Sequence, residues 1–297
     1  MILPTFAVAS AAGGQHSMRE DSNFSRFSNQ TYSIWMTLMR TVRPKKALGQ
    51  HFLRDMDIAQ RIAGTVDSCA DLPILEIGPG TGVLTQFLSQ KNRELKVVEI
   101  DRESVAYLHE NYPGLNVVDG DFLKLDLNAV FNGRTFVLTG NYPYNISSQI
   151  FFRMLEYKDL IPCCTGMLQR EVAQRICSGP GNKDYGILSI FIQAWYYAEY
   201  LFTVNENVFD PPPKVKSAVI RLTRNLRTSL GCNEQLFRKV VKCTFGMRRK
   251  MIRNSLRQVY ERDVPLPAHC PYLDKRPEQL SVEDFIRLTN MVEGKEA

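Results

Sequence analysis

From Pro44 onward the chain alternates short apolar runs with amphipathic stretches, the pattern left by strand–helix repeats on a mostly parallel sheet. The apolar runs predict strands over residues 74–77, 96–100, 116–118, 136–139, 163–168, 200–204 and 217–222. Between them the periodicity predicts helices near 55–66, 83–90, 104–110, 147–155, 171–177 and 186–197. Asp210-Pro211-Pro212-Pro213 reads as an extended turn, because three prolines fix φ and remove three ladder donors. After Thr228 the strand signal stops, and helices are predicted near 233–244, 248–260 and 282–291. The expected architecture is α/β: a seven-stranded, mostly parallel sheet over 39–227, then a small all-helical domain over 228–297.

Residues 1–38 are polar and small, with one short apolar run near 6–12 and no basic stretch before it. This is a poor signal peptide and too short to span a bilayer. The segment is read as a disordered extension, with Met36 or Met39 as alternative starts, and the expected location is cytoplasmic, with no membrane association.

Charge changes the picture. The chain carries +6 overall, yet Lys214 to Arg262 holds fourteen Lys or Arg against Glu234 and Glu261 alone. A basic block on an otherwise acidic protein points to a polyanion partner. The seven cysteines contain no Cys-x-x-Cys pair, so free thiols in a reducing compartment are expected. His16, His51, His109 and His269 are scattered, and no metal site is expected.

Two motifs carry chemistry. Glu76-Ile77-Gly78-Pro79-Gly80-Thr81-Gly82 lies between a predicted strand and a predicted helix, where glycines let the backbone turn tightly and approach a ligand. Glu99 ends the next strand, placed to accept both ribose hydroxyls of an adenosyl cofactor, and Asp121 follows the third strand, placed for the adenine amine. The loop resembles the S-adenosylmethionine fingerprint more than the nicotinamide one, whose helix N-terminus holds a pyrophosphate. Glu76 fits that choice, since it can order the loop or meet the cofactor's ammonium.

Asn141-Tyr142-Pro143-Tyr144 follows the fourth strand, at the edge where open α/β sheets bind ligands. The exocyclic amine of adenine is a weak nucleophile because its lone pair is delocalised into the ring. The Asn141 side-chain oxygen and the Tyr142 carbonyl can accept its two N–H bonds and free that lone pair for in-line attack on a methyl group. Tyr144 would stack on an extruded base, and Phe209 could cover the other face.

With these motifs, Lys46-Ala47-Leu48-Gly49-Gln50-His51-Phe52-Leu53, Phe209-Asp210-Pro211-Pro212-Pro213-Lys214-Val215 and Phe245-Gly246-Met247-Arg248-Arg249-Lys250, the chain resembles the small-subunit ribosomal RNA adenine dimethyltransferases. The resemblance runs from about Arg43 to Met291. It implies a Rossmann-like class I methyltransferase domain and dimethylation of two adjacent adenines near the 3′ end of small-subunit rRNA, by a monomer acting on pre-30S-type particles. It implies cofactor contacts at His51, Leu53, Gly78, Glu99, Asp121 and Asn141. Separately, helical spacing puts Arg249, Lys250, Arg253 and Arg257 on one face, and this face, with Arg248 beside it, is expected to hold the RNA. Two positions depart from the family pattern, which often has Asn at 51 and Leu at 142. Large-subunit rRNA methyltransferases of the macrolide-resistance type are the nearest alternative, and the Arg248-Arg249-Lys250 and Phe209–Val215 segments favour the small-subunit branch. A nicotinamide oxidoreductase leaves Asn141 to Tyr144 without a role, and intact Glu99 and Asn141 argue against a binding-only assembly factor.

Overall fold

The computed structural model describes residues 42–45, 48–259 and 269–294. Its strands are β1 (Phe52–Leu53), β2 (Ile74–Ile77), β3 (Leu95–Glu99), β4 (Asn116–Asp119), β5 (Val137–Gly140), β6 (Cys163–Gln169), β7 (Tyr196–Val204), β8 (Phe209–Asp210) and β9 (Ser217–Arg224). Seven of them form one sheet in the order β4-β3-β2-β5-β6-β9-β7. All seven predicted strands are in it. β2 and β5 lie at its centre and are buried at every position, as strands covered by helices on both faces must be. Strands β2 to β6 pair in parallel, and β9 runs antiparallel to both β6 and β7.

The helices are α1 (Met56–Gly64), α2 (Thr85–Leu88), α3 (Arg102–Asn111), α4 (Leu127–Val130), α5 (Ser147–Glu156), α6 (Arg170–Cys177), α7 (Ile187–Gln193), α8 (Glu234–Gly246), α9 (Ile252–Leu256) and α10 (Val282–Val292). Local capping sets several starts. Asp55 accepts from Ile58 N at the head of α1, and Ser281 and Asp284 cap each other at the head of α10, relieving amides that the first helical turn leaves unpaired.

Three expectations are corrected. The helix expected over 186–197 stops at Gln193, and β7 starts at Tyr196 rather than 200, because its ladder with β9 extends to Tyr196↔Arg224. The helix expected over 248–260 shrinks to α9, a five-residue helix. Ile252 N and Arg253 N donate to Lys275 O and Leu273 O at 2.8 and 3.1 Å, so a tertiary contact takes amides that a continuous helix would need. Cys69 and Cys163 form a disulfide across 94 residues, against the expectation of free thiols, while Cys164, Cys177, Cys232, Cys243 and Cys270 are free. The pair brings the turn after α1 onto the first residue of β6, beside a hydrogen bond from Thr165 Oγ1 to Thr65 Oγ1.

Val42–Ala297 form one compact unit. Phe237, Val240 and Val241 of α8 and Phe285 and Leu288 of α10 bury their side chains in the same core as Phe191 of α7, each such burial being worth about 1.5 to 3 kcal/mol. Among the described residues no helix is long and apolar enough to cross a membrane. The expected extension over 1–38, the alternative starts Met36 and Met39, and the first two residues of the Lys46–Leu53 segment lie outside the described residues.

Candidate active site

The carboxyl ends of β2, β3, β4 and β5 open onto a single cleft, closed on one side by the segment Leu48–Leu53. Gly78, Gly80, Glu99, Asp121, Asn141, His51 and Leu53 all line it, as do Glu76 and the Tyr142-Pro143-Tyr144 turn. Five segments far apart in sequence are thus brought together by the sheet, and each of the six expected cofactor positions lies on the cleft wall.

The glycine loop is shaped by what stands next to it. Gly80 has φ +58°, and a Cβ there would come within 2.9 Å of the Phe52 ring. Only glycine meets both demands without strain. Its N–H donates to Glu99 Oε2 at 3.1 Å, while Ile100 N and Asp101 N donate to Glu99 Oε1 at 2.8 and 2.9 Å. The carboxylate is therefore fixed before any ligand arrives. Burial raises its pKa, and these three backbone donors partly offset that shift.

Glu76, buried within β2, accepts from Thr85 Oγ1 at 2.7 Å. Burial pushes its carboxyl up to about 8, with the Thr85 hydrogen bond acting against it and nearby Glu99 adding to it. Asp121 accepts from Leu123 N at 3.0 Å and has Lys124 Nζ at 3.6 Å. Asp101, at the head of α3, is ion-paired with Lys45 and accepts from Gln50 Nε2 at 3.3 Å, which ties the chain before His51 to the end of β3.

The turn after β5 is oriented from several directions. Asn141 Nδ2 donates to His51 O at 3.3 Å, which commits the amide nitrogen and leaves Oδ1 as the acceptor available to a ligand. Tyr142 N donates to Met167 O at 2.8 Å. The Tyr144 hydroxyl is hydrogen-bonded to Ser217 Oγ, and its ring stacks on His51 with centroids 5.4 Å apart and 29° between planes. His51 Nδ1 lies 2.8 Å from Pro211 O. A carbonyl only accepts, so Nδ1 carries a proton in that contact.

Phe209 is 3% exposed and its backbone pairs with Leu53 through the short ladder of β1 and β8; the ring stacked on Tyr144 is that of His51. Arg248, Arg249, Lys250 and Arg253 lie away from the cleft, around the turn between α8 and α9. Arg248 donates to Asn182 O at 3.3 Å and reaches Glu278 at 4.0 Å, Arg253 is ion-paired with Asp274, and Arg249 and Lys250 are exposed.

Sequence reasoning missed Ile100 and the phenol of Tyr142. Ile100 lines the cleft and is 50% exposed although it follows directly on a core strand. An apolar residue standing out beside an acid that ends a strand suits the flat face of a base, and that adjacency is readable in the sequence. The chemistry of this lining fits S-adenosylmethionine: Glu99 would suit its ribose hydroxyls, Asp121 its base amine, the exposed face of Ile100 the flat base and Glu76 its ammonium.

The sequence profile described as Ribosomal RNA adenine dimethylase matches residues 42–293. Ribosomal RNA small subunit methyltransferase A of Phocaeicola vulgatus is 68% identical over 258 residues, covering 86% of this chain and 92% of its own. A dimethyladenosine transferase from Plasmodium falciparum superposes with a TM-score of 0.68 at 25% identity, over 80% of this chain and 96% of that one. The 23S rRNA methyltransferase ErmE gives 0.62 at 29% identity, over 82% and 99%. A cofactor cleft at the carboxyl edge, an Asn-x-Pro-Tyr turn beside it and a match over nearly all described residues lead to one conclusion: the chain belongs to the ribosomal RNA adenine dimethylase family.

Proposed function

We propose that this protein dimethylates the N6 amines of two adjacent adenosines near the 3′ end of 16S-type rRNA, using S-adenosylmethionine, and that it does so as a cytoplasmic monomer on pre-30S-type particles during small-subunit assembly. The observation that carries the reading is Asn141. Its amide nitrogen is engaged by His51 O, which leaves its oxygen free to accept at a residue that lines the cleft together with Tyr142.

Glu76, Glu99 and Asp121 would hold S-adenosylmethionine, which would supply an electrophilic sulfonium methyl. The protein's part is to prepare the nucleophile. In the first transfer Asn141 Oδ1 and Tyr142 O accept hydrogen bonds from the two N–H groups of the target amine, draw the nitrogen towards a tetrahedral shape and localise its lone pair; the N–C bond forms as the S–C bond breaks, and the nitrogen then releases one proton to solvent. In the second transfer a single N–H remains, held by one of the two acceptors. Acceptors held in place before reaction need no reorganisation as charge develops on nitrogen. Tyr144 carries the base on its ring, with His51 moving aside or sharing the stack. Residues 39–227 form the methyltransferase domain in this reading, while 228–297 hold RNA through Arg248, Arg249, Lys250 and Arg253.

The similarity to ErmE supports a large-subunit substrate as the second reading, but the 68% identical relative named for the small subunit favours the first. Incubation with labelled S-adenosylmethionine and either unmethylated small subunits or unmethylated large subunits separates them. Dimethyladenosine at adjacent positions of small-subunit rRNA is expected. Label confined to large-subunit RNA would establish the second.

A further inference from the structure

Tyr142 lines the cleft, and the carbonyl that the proposed reaction asks of it belongs to the peptide preceding Pro143. Proline has no N–H, so no hydrogen bond from residue 143 can steady the peptide. Its aim depends on what holds residue 142. Two hydrogen bonds do so, and both end on β6: Tyr142 N donates to Met167 O at 2.8 Å, and the phenol donates to Thr165 O at 2.9 Å. Cys164 Sγ lies 3.2 Å from the same hydroxyl.

Room for the ring comes from an interruption in the sheet. β5 and β6 pair at Val137↔Cys163 and Leu138↔Cys164, and contact resumes in the bridge Asn141↔Met167. In the gap stands Gly166, where a Cβ would come within 2.9 Å of the Tyr142 ring and 2.4 Å of Gly140 O. On the other side the ring meets Phe151 edge-on, with centroids 5.6 Å apart. The residue is 1% exposed, so water cannot replace the phenol as the donor to Thr165 O. An aliphatic side chain would fill much of this space and leave Thr165 O without its donor, at the cost that attends any buried unpaired carbonyl.

We propose that Tyr142 is a positioning residue whose buried phenol, clamped to Thr165 O, sets the aim of its own carbonyl at the substrate amine. The proposal rests on the reading that this carbonyl accepts an N–H of the target adenine. The phenol itself is turned into the seam between β5 and β6, so losing it alters alignment and not the binding of either substrate.

Tyr142→Phe removes one oxygen and keeps the ring. We expect kcat for dimethylation of small subunits to fall about tenfold, short of the hundredfold that a misplacement of about 1 Å can cost. The KM for the particle and the Kd for S-adenosylmethionine should stay within about twofold, since neither contact is touched. Tyr142→Leu, which also lacks the hydroxyl, should show the same split. A purely structural role for the phenol lowers the melting temperature and leaves kcat per folded molecule unchanged, and that result in both variants overturns the proposal. Asn141→Ala is measured alongside. If Asn141→Ala loses activity while Tyr142→Phe does not, positioning by the phenol fails alone; if Asn141→Ala is fully active, the paired-acceptor reading beneath it fails.

Discussion

The hydroxyls of Tyr144 and Ser217 are hydrogen-bonded to each other, joining the turn after β5 to the first residue of β9, where Ser217 is fully buried. Held at its hydroxyl by Ser217 and across its face by His51, the Tyr144 ring is fixed before substrate arrives. Burial raises the phenol's pKa, with the Ser217 contact opposing it, so the group is neutral at physiological pH. Tyr144→Ala should slow methyl transfer by about 5- to 150-fold, the equivalent of about 1 to 3 kcal/mol for a stacked base. Tyr144→Phe keeps the ring and should lose only a few-fold by the same argument. Single-turnover rates with saturating cofactor test this, and an alanine variant as fast as wild type would remove the stacking role.

Glu99→Ala should weaken S-adenosylmethionine binding by about 1.5 to 3 kcal/mol, the range for hydrogen bonds to a charged acceptor. Part of the loss comes from the glycine loop, because Gly80 N loses its partner as well. Titration calorimetry on a variant with native circular dichroism measures it. Unchanged affinity would dismiss the ribose assignment.

Asn141→Ala should reduce kcat by about a hundredfold or more, as expected when a preorganised acceptor at a reacting atom is removed. Cofactor affinity should fall much less, since the amide nitrogen is held by His51 O and in the proposed reading the oxygen serves the target base rather than the ribose. Methylation near the wild-type rate would leave the mechanism without its central acceptor.

Glu76 gives a pH signature in the ligand-free protein. Its carboxyl titrates at about 8 when folded and near its ordinary value of 4.5 when unfolded. Between those values the unfolded chain releases a proton that the native state keeps, so the contribution of Glu76 to stability falls as pH rises from about 4.5 to about 8 and is constant beyond. Glu76→Gln retains an acceptor for Thr85 and does not titrate. The melting temperature of Glu76→Gln minus that of wild type should therefore widen between pH 5 and 8 and then level off; a gap that does not vary with pH would show that Glu76 is ionised throughout.

Much of this was written locally in the chain. The seven sheet strands are apolar runs between glycines and amphipathic stretches, and the cleft follows because loops after parallel strands open at one edge. What stayed hidden depends on contacts between distant segments. β1 and β8 are two residues each, too short for any period to register, yet their pairing joins the segment that carries His51 to the strand that carries the buried Phe209. Cys69 and Cys163 carry no spacing signal across 94 residues. The segment 248–260 has helical composition, and only the return of Leu273 and Lys275 to its amides shows where α9 begins.

That return also decides which cations are free for RNA. Arg248 is partly engaged by Asn182 O and Glu278, and Arg253 is paired with Asp274. Arg249 and Lys250 project from the turn between α8 and α9 and have no ion-pair partner among the described residues. A cation already neutralised by a carboxylate displaces fewer counterions from a phosphate than one that is free. Replacing both Arg249 and Lys250 with Ala should weaken rRNA binding and flatten the dependence of log K on log salt by about 0.7 to 0.9 per lost contact. Arg253→Ala should change the slope by less than either exposed residue, because it also frees the Asp274 carboxylate. Cofactor affinity should not move in any of these variants, since the turn lies outside the cleft. Titrating RNA at several salt concentrations against each variant separates phosphate contact from mere solvation of a helical surface, for which every slope would equal that of wild type.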